Sequence, residues 1–261
     1  RVTQILVEEI RRVGPVDAVG VAVAGMVDER HRQVVRAPNL DWSDVSLAQK
    51  IEDACGVPVL VLNDVNAITW GEYLALGDPA ARHMLAVFFG TGVGSGYVAD
   101  GRLVEGARGQ ALELGHVLAD DSQDAPACGC GRRGCLEAFV GGLNFSRWIQ
   151  GRLPYSVEHM GRLDEIARAG DERASKILDH LAVMTARVLA DAVMLLDPGV
   201  LMAGGTVWNG SPTFAARVRA LVQERVPDAV RWVSPQLGIA AGVAGAASFA
   251  GAFFFGQEGL S

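Results

Sequence analysis

The sequence predicts an α/β fold. Short apolar, β-branched runs alternate with longer stretches of helical periodicity, and glycine or proline punctuates most of the junctions. Half of the 261 residues are hydrophobic and a fifth are charged, the composition of a chain that builds a sizeable core. At about 150 residues per domain the length accommodates one large domain or two smaller lobes.

The elements follow in order. Val2, Ile5, Leu6, Ile10 and Val13 recur at helical spacing, and Gly14-Pro15 ends that helix. Residues 16–24 read as a buried strand stopped at Gly25. A helix over about 46–55 leads into a second buried strand at 57–62, and helical periodicity resumes from Asn66 to Leu76. Strands at 83–89 and 94–99 flank a glycine turn, and Asp100-Gly101 forms a hairpin turn because glycine tolerates the positive φ such turns need. Residues 128–135 are too poor in apolar side chains to be core and read as a loop. From Leu143 the chain turns mostly helical, and its longest helix, 174–196, stops at Asp197-Pro198-Gly199 because proline cannot continue it. A short strand at 200–203 runs into Gly204-Gly205, then a helix at about 214–224 precedes a Gly/Ala-rich segment. Gly77-Asp78-Pro79 breaks the pattern, so the expected division is a first lobe over 1–82, completed by a C-terminal helix at 240–256, and a second over 83–239. No repeat at solenoid periods is present.

Composition excludes several classes. The net charge of −7 and the lack of any extended Lys/Arg run argue against a general nucleic-acid or acidic-lipid binder. The 32 glycines cluster in motifs without a period, which excludes collagen and linker architectures. Residues 237–256 are 20 uncharged residues, just long enough to span a bilayer. They are mainly Gly and Ala, include Ser248, and run into Gln257-Glu258 without a basic flank, so the expectation is a buried helix packed through small residues and no membrane partner. No charged-then-apolar leader opens the sequence, and the expected location is the cytoplasm. Arg1 falls inside a helical pattern, and residues upstream of it are expected.

Three constellations carry chemistry. His116, Cys128, Cys130 and Cys135 lie within 20 residues, and zinc takes thiolate and imidazole ligands in closed tetrahedral sites. Gly129, Gly131 and Gly134 let the chain curl around a small ion. A disulfide or free thiols are the competing reading; a reducing compartment and the lone Cys55 favour the metal. Residues 90–96 read Gly-Thr-Gly-Val-Gly-Ser-Gly after a strand, where missing Cβ atoms let backbone N–H groups converge on phosphate. The loop matches neither Walker A nor the dinucleotide fingerprint, and a merely tight turn explains it equally well. Asn63-Asp64 ends the second buried strand, with Asn66 close behind. Ligands gather at strand C-termini in α/β sheets, while Asp64 or Asn66 could equally serve as a helix N-cap. Glu113 and Glu137 place two more polar groups beside the cysteine loop, and Asn39 follows Ala37-Pro38 in what reads as a turn. His31, His83, His159 and His180 show no partner pattern, Ser95 has no evident base, and Arg132-Arg133 reads as a solvated turn face.

Taken in order, these motifs resemble the ROK family, the repressors, open reading frames and sugar kinases of the actin/hexokinase-like superfamily. Ala37-Pro38-Asn39-Leu40 with Trp42 resembles its sugar loop. Leu62-Asn63-Asp64-Val65-Asn66-Ala67 resembles its Glu-Asn-Asp-Ala-Asn-Ala segment, with Leu62 in place of the Glu. Residues 90–96 resemble its second phosphate loop, Glu113-Leu114-Gly115-His116 with residues 128–137 its zinc signature, and Ala203-Gly204-Gly205 its adenosine contact. Leu112 stands where the family often has Gly. The resemblance implies a two-lobed, ribonuclease H-like α/β fold whose first lobe is incomplete at the N-terminus, since the family's Asp-x-Gly-Gly-Thr phosphate loop does not occur in this sequence.

The resemblance further implies ATP-dependent phosphorylation of a hexose or N-acetylhexosamine at its 6-hydroxyl, in a glucokinase-like enzyme. Asp64 would be the general base, and Asn39, Asn63, Asp64, Glu113, His116 and Glu137 would bind the sugar. Gly90, Thr91, Gly92, Val93, Gly94, Gly204 and Gly205 would bind the nucleotide, with Mg²⁺ arriving with ATP. His116, Cys128, Cys130 and Cys135 would hold a structural zinc, His116 using its second ring nitrogen toward the sugar. A homodimer or homotetramer is implied. An N-acetylmannosamine or N-acetylglucosamine kinase, a sugar-sensing repressor domain and a non-catalytic sugar-binding remnant are the alternatives, none contacting nucleic acid through this chain.

Overall fold

The computed structural model describes residues 2–256. The chain divides into two compact units: one takes the chain up to Pro79, Gly96–Ala111 and the stretch from Gln236 onward, the other Ala80–Ser95 and Leu112–Pro235. Residues 96–111, placed by the sequence pattern in the second lobe, therefore sit in the first unit.

In the first unit, helix α1 (Val2–Val13) precedes strand β1 (Val19–Val23). Strands β2 (Met26–Val27), β3 (Val34–Ala37) and β4 (Trp42–Val45) form an antiparallel sheet in that order, which the sequence did not announce. Each is at most four residues long, too short for period-two alternation to register. Helix α2 (Leu47–Cys55), strand β5 (Val59–Asn63) and helix α3 (Asp64–Leu76) follow, so the helix expected from Asn66 begins two residues earlier. β1 and β5 pair in parallel from Val19↔Val59 to Val23↔Asn63. Val59 and Val61 pack with Val21, Val23, Leu47 and Ile51 on one face, while Leu60 and Leu62 face the other way. Burial on both faces explains why β5 reads as an unbroken apolar run.

In the second unit, β6 (Met84–Phe89) leads through a glycine turn into β7 (Val93–Ala99), which carries the chain into the first unit. There β7 pairs antiparallel with β8 (Arg102–Leu103) across Asp100-Gly101, whose φ angles of 52° and 73° suit the tight turn. The remaining elements of the second unit are α4 (Glu137–Val140), α5 (Gly142–Trp148), α6 (Met160–Arg168), α7 (Glu172–Leu196), β9 (Val200–Gly204), α8 (Thr206–Gly210), α9 (Pro212–Arg225) and β10 (Arg231–Val233). β9 lies between β6 and β10, parallel to both, and Phe88 pairs with Gly204. That register brings the turns after β6 and β9 out at the same C-terminal edge, where α/β sheets bind ligands.

The chain returns to the first unit through α10 (Ala241–Phe255). Ala246 and Ala250, with Phe249 and Phe254, cover Leu60 and Leu62. The helix lies against backbone: a Cβ on Gly20 would stand 2.0 Å from the Ala246 carbonyl oxygen, one on Gly71 2.5 Å from that of Ala241, and one on Gly245 1.8 Å from that of Ala67. Only one face is covered, which corrects the expectation of a buried helix. Val243, Phe253 and Phe255 are 75 %, 57 % and 54 % exposed, because only the face carrying Ala241, Gly245, Ala246 and Ala250 is buried. Gly238–Phe255 is, by length and composition, a window apolar enough to cross a membrane.

Candidate active site and metal centre

The first unit supplies Asn39, Asn63 and Asp64. β5 ends at Asn63, whose Oδ1 accepts from the N–H groups of Val65 (2.9 Å) and Asn66 (3.0 Å), so Asn63 caps α3. The cap thus falls on Asn63 and not on Asp64 or Asn66, the positions the sequence left open for it. Asp64 becomes the first helical residue, and its Oδ1 accepts from Val65 N–H at 3.0 Å. Burial pushes the Asp64 carboxyl above the ordinary aspartate range, against the lowering by that backbone N–H. The Asn63 amide donates to the Gly25 carbonyl at 2.9 Å. Gly25 in turn lies against Arg36 and Ala37 at the end of β3, just before the exposed 3₁₀ turn Pro38–Leu40 that carries Asn39. The Asn63 side chain thus ties the Asp64 helix to the neighbourhood of the Asn39 loop.

The second unit supplies the glycine loop and the cysteines. Gly90 N–H donates to the Gly92 carbonyl (2.9 Å), and the Gly90 and Thr91 carbonyls accept from Gly142 (2.8 Å) and Leu143 (3.1 Å) at the start of α5. Gly205, at φ 102°, packs so tightly on Phe89 that a Cβ would lie 2.4 Å from its carbonyl oxygen. Gly90, Gly205 and Thr206 therefore gather at one corner, Thr206 Oγ1 lying 4.0 Å from the Cβ position of Gly90. Thr206 escaped sequence reasoning; its one signal was its place directly after Gly204-Gly205. Val93 N–H, grouped from sequence with the phosphate-binding amides, donates instead to Glu137 Oε2 at 2.9 Å.

Glu137 Oε1 faces the Cys128 thiol at 3.9 Å, so this carboxylate stands between the glycine loop and the cysteine cluster. Glu113 is exposed and leads into the 3₁₀ turn Leu114–His116. His116, Cys128, Cys130 and Cys135 present ligand atoms all within 4.8 Å of one another. His116 Nδ1 lies 3.5 Å from Cys128 Sγ, and Cys130 Sγ lies 3.6 Å from Cys135 Sγ. Tetrahedral zinc, with bonds of about 2.3 Å to sulfur and about 2.0–2.1 Å to nitrogen, requires edges of about 3.5–3.8 Å. The donor set and its spacing fit such an ion. Burial pushes the Cys128 thiol up to about 12. Cys130 is held down to about 6, desolvation being outweighed by hydrogen bonds from Arg132.

Arg132 is exposed, as expected of a solvated turn face, and it also donates to the His116 carbonyl at 3.0 Å across the cysteine loop. His31, without a recognisable partner in the sequence, is buried in the first unit with Nε2 3.2 Å from Glu105 Oε2, edge-on to Phe249 and Phe253.

The chain resembles several known proteins. The chain is 35 % identical over 222 residues to the N-acetylmannosamine kinase of Citrobacter koseri, covering 85 % of this chain and 74 % of that one. It is 33 % identical over 261 aligned residues to the glucokinase of Streptomyces coelicolor, covering 92 % and 82 %. Among solved structures, the ROK hexokinase of Thermus thermophilus superposes with a TM-score of 0.83 at 30 % identity, over 96 % of this chain and 85 % of that one. The ROK glucokinase of Streptomyces griseus, in complex with glucose and AMPPNP, gives 0.75 at 30 % identity, over 95 % and 88 %. The ROK family model matches residues 2–253, and with an actin/hexokinase-like fold the chain belongs to the ROK family.

Proposed function

We propose that the protein is an ATP-dependent sugar kinase that phosphorylates glucose, or a related hexose, at the 6-hydroxyl; N-acetylmannosamine is the alternative substrate. The observation that carries the mechanism is the division of labour at the end of β5. Asn63 takes over capping, which leaves Asp64 half-buried, with a pKa raised by desolvation and its Oδ1 accepting from Val65 N–H. Asp64 accepts the hydroxyl proton as the sugar oxygen bonds to the γ-phosphorus, and the bond to the β,γ-bridging oxygen breaks to release ADP. Asn39, Asn63, Glu113, His116 and Glu137 hydrogen-bond the sugar hydroxyls, side chains suited to directional OH recognition.

The amides of Thr91 and Gly92 would face the phosphates, with Gly90, Gly94, Gly204 and Gly205 beside them. Gly204 and Gly205 lack a Cβ because Pro235 and Phe89 lie against them. Val93 contributes through its bond to Glu137. ATP would bring Mg²⁺, which when bound would supply neutralisation of the phosphate charge. His116 Nδ1, Cys128, Cys130 and Cys135 would hold a zinc ion with a structural role, leaving His116 Nε2 for the sugar. A kinase that consumes ATP works where ATP is, in the cytoplasm.

The test is ADP release from ATP with glucose, mannose, N-acetylglucosamine and N-acetylmannosamine in turn. Sugar-dependent turnover that disappears in Asp64→Asn supports the reading. Sugar binding without ADP release from any of the four would refute it in favour of a binding protein.

A further inference from the structure

Six non-glycine residues among those described have positive φ: His31, Asp41, Asp44, Asp100, Asp197 and Leu112. Five are Asp or His, types enriched in the left-handed region; Leu112, at φ 63°, is the only aliphatic one. A leucine there is strained, and such strain persists only where surrounding structure holds it.

Ser95 does the holding. It sits in β7, buried, and its hydroxyl donates to the Leu112 carbonyl while accepting from Leu114 N–H at 3.2 Å. These two partners flank Glu113 on either side. One residue further on, Gly115 lies so close to β7 that a Cβ would stand 2.1 Å from the Val93 carbonyl oxygen. The turn is therefore fastened to β7 at Ser95 and at Val93, and its far end is His116 of the metal cluster. Only a small group that both donates and accepts can satisfy Leu112 and Leu114 together. Alanine does neither, which leaves a carbonyl and an amide without their partner.

We propose that Ser95 is a positioning residue: by fixing the peptide groups on both sides of Glu113 in a strained turn, it aims the Glu113 carboxylate and so sets affinity for sugar. This rests on the reading of Glu113 as a sugar-binding residue.

The test uses Ser95→Ala, Leu112→Gly and the double variant. Glycine adopts positive φ without strain, so in the double variant the turn keeps its shape without its clasp. Losing a partnered buried hydrogen bond predicts that Ser95→Ala raises the sugar Kd and KM about tenfold, leaves the ATP KM within about twofold, and speeds exchange of the Leu114 amide. In the double variant, sugar affinity returns to within about threefold of wild type, while Leu114 exchange stays faster than in Leu112→Gly alone. That last comparison serves if Ser95→Ala alone does not fold. Sugar and ATP KM rising together, a double variant as defective as Ser95→Ala, or unchanged Leu114 exchange would overturn the proposal. Wild-type protein that binds none of the four sugars would overturn the kinase reading and, with it, the purpose assigned to the clasp, even with Leu114 protected.

Discussion

The docking of α10 makes opposite forecasts for two glycines six residues apart on one helix. In Gly245→Ala the new methyl would lie 1.8 Å from the Ala67 carbonyl oxygen and 2.9 Å from Gly71 N, both rigid backbone of α3. Restoring ordinary contact of 3.4 Å or more forces the helices apart by over an ångström and unpacks Ala246 and Ala250 from Leu60 and Leu62. Overpacking of this kind costs about 1–3 kcal/mol, against a gain of about 1 kcal/mol in helix propensity. With backbone unable to yield, the upper end applies, and the net loss is about 2 kcal/mol. Gly251 has no atom within 4 Å of its Cβ position, so Gly251→Ala keeps the propensity gain of up to about 1 kcal/mol. At about 2–4 °C per kcal/mol for chains of this size, Gly245→Ala should melt about 4–8 °C lower and Gly251→Ala about 2–4 °C higher. Thermal melts followed by circular dichroism read both. A helix lying in lipid instead of on α3 would give the two substitutions the same sign, and that result would refute the packing argument.

Other forecasts concern the site. Asp64→Asn should lower turnover about 10²- to 10⁴-fold with sugar binding retained. Because the native Asp64 pKa lies above 3.8, the folded state holds its proton to higher pH than the unfolded chain. Stability therefore falls as pH rises from 3.8 through the native value; melts at pH 4 and pH 7 should show the Asn variant free of that loss. Cys130→Ser should abolish stoichiometric zinc, read by mass spectrometry of the purified protein, and chelators should destabilise wild type but not the variant. The His31 pKa is raised: burial lowers it, but the Glu105 hydrogen bond and charge, with Asp28 behind, win. The pair's contribution is complete below 6.5 and is lost as pH rises through the native value, so Glu105→Gln should destabilise at pH 6 and scarcely at pH 9.

Much of the candidate site could be proposed from sequence because its signals are local. Cys128, Cys130 and Cys135 lie within eight residues, and thiolates so placed have few uses other than a metal. Asp64 stood out as an acid at the end of a buried apolar run. What escaped depends on side-chain direction or on residues distant in the chain. Which residue caps α3 turns on side-chain direction at the last residue of β5, a one-residue distinction that composition does not carry. Ser95 was set aside for lack of a base, and its partners Leu112 and Leu114 are 17 and 19 residues away. Glu105 is brought to His31 only by the return of residues 96–111 to the first unit. The one-sided burial of α10 was hidden because Gly and Ala look alike on every face until a partner is known.

The first unit is assembled from chain segments that are far apart, and this bears on how the protein is made. On the ribosome, β1 and β5 emerge early, yet Leu60 and Leu62 are covered only when Ala246 and Ala250 arrive. Nearly two hundred residues separate the two sides of that interface, so its closure carries a large loop-entropy cost and comes late. Until then the nascent chain displays a bare apolar sheet face, the kind of surface on which chaperones act and aggregates begin. Refolding in vitro should accordingly show α10 docking as a late kinetic event, and substitutions along its small-residue stripe should raise the unfolding rate more than they slow folding.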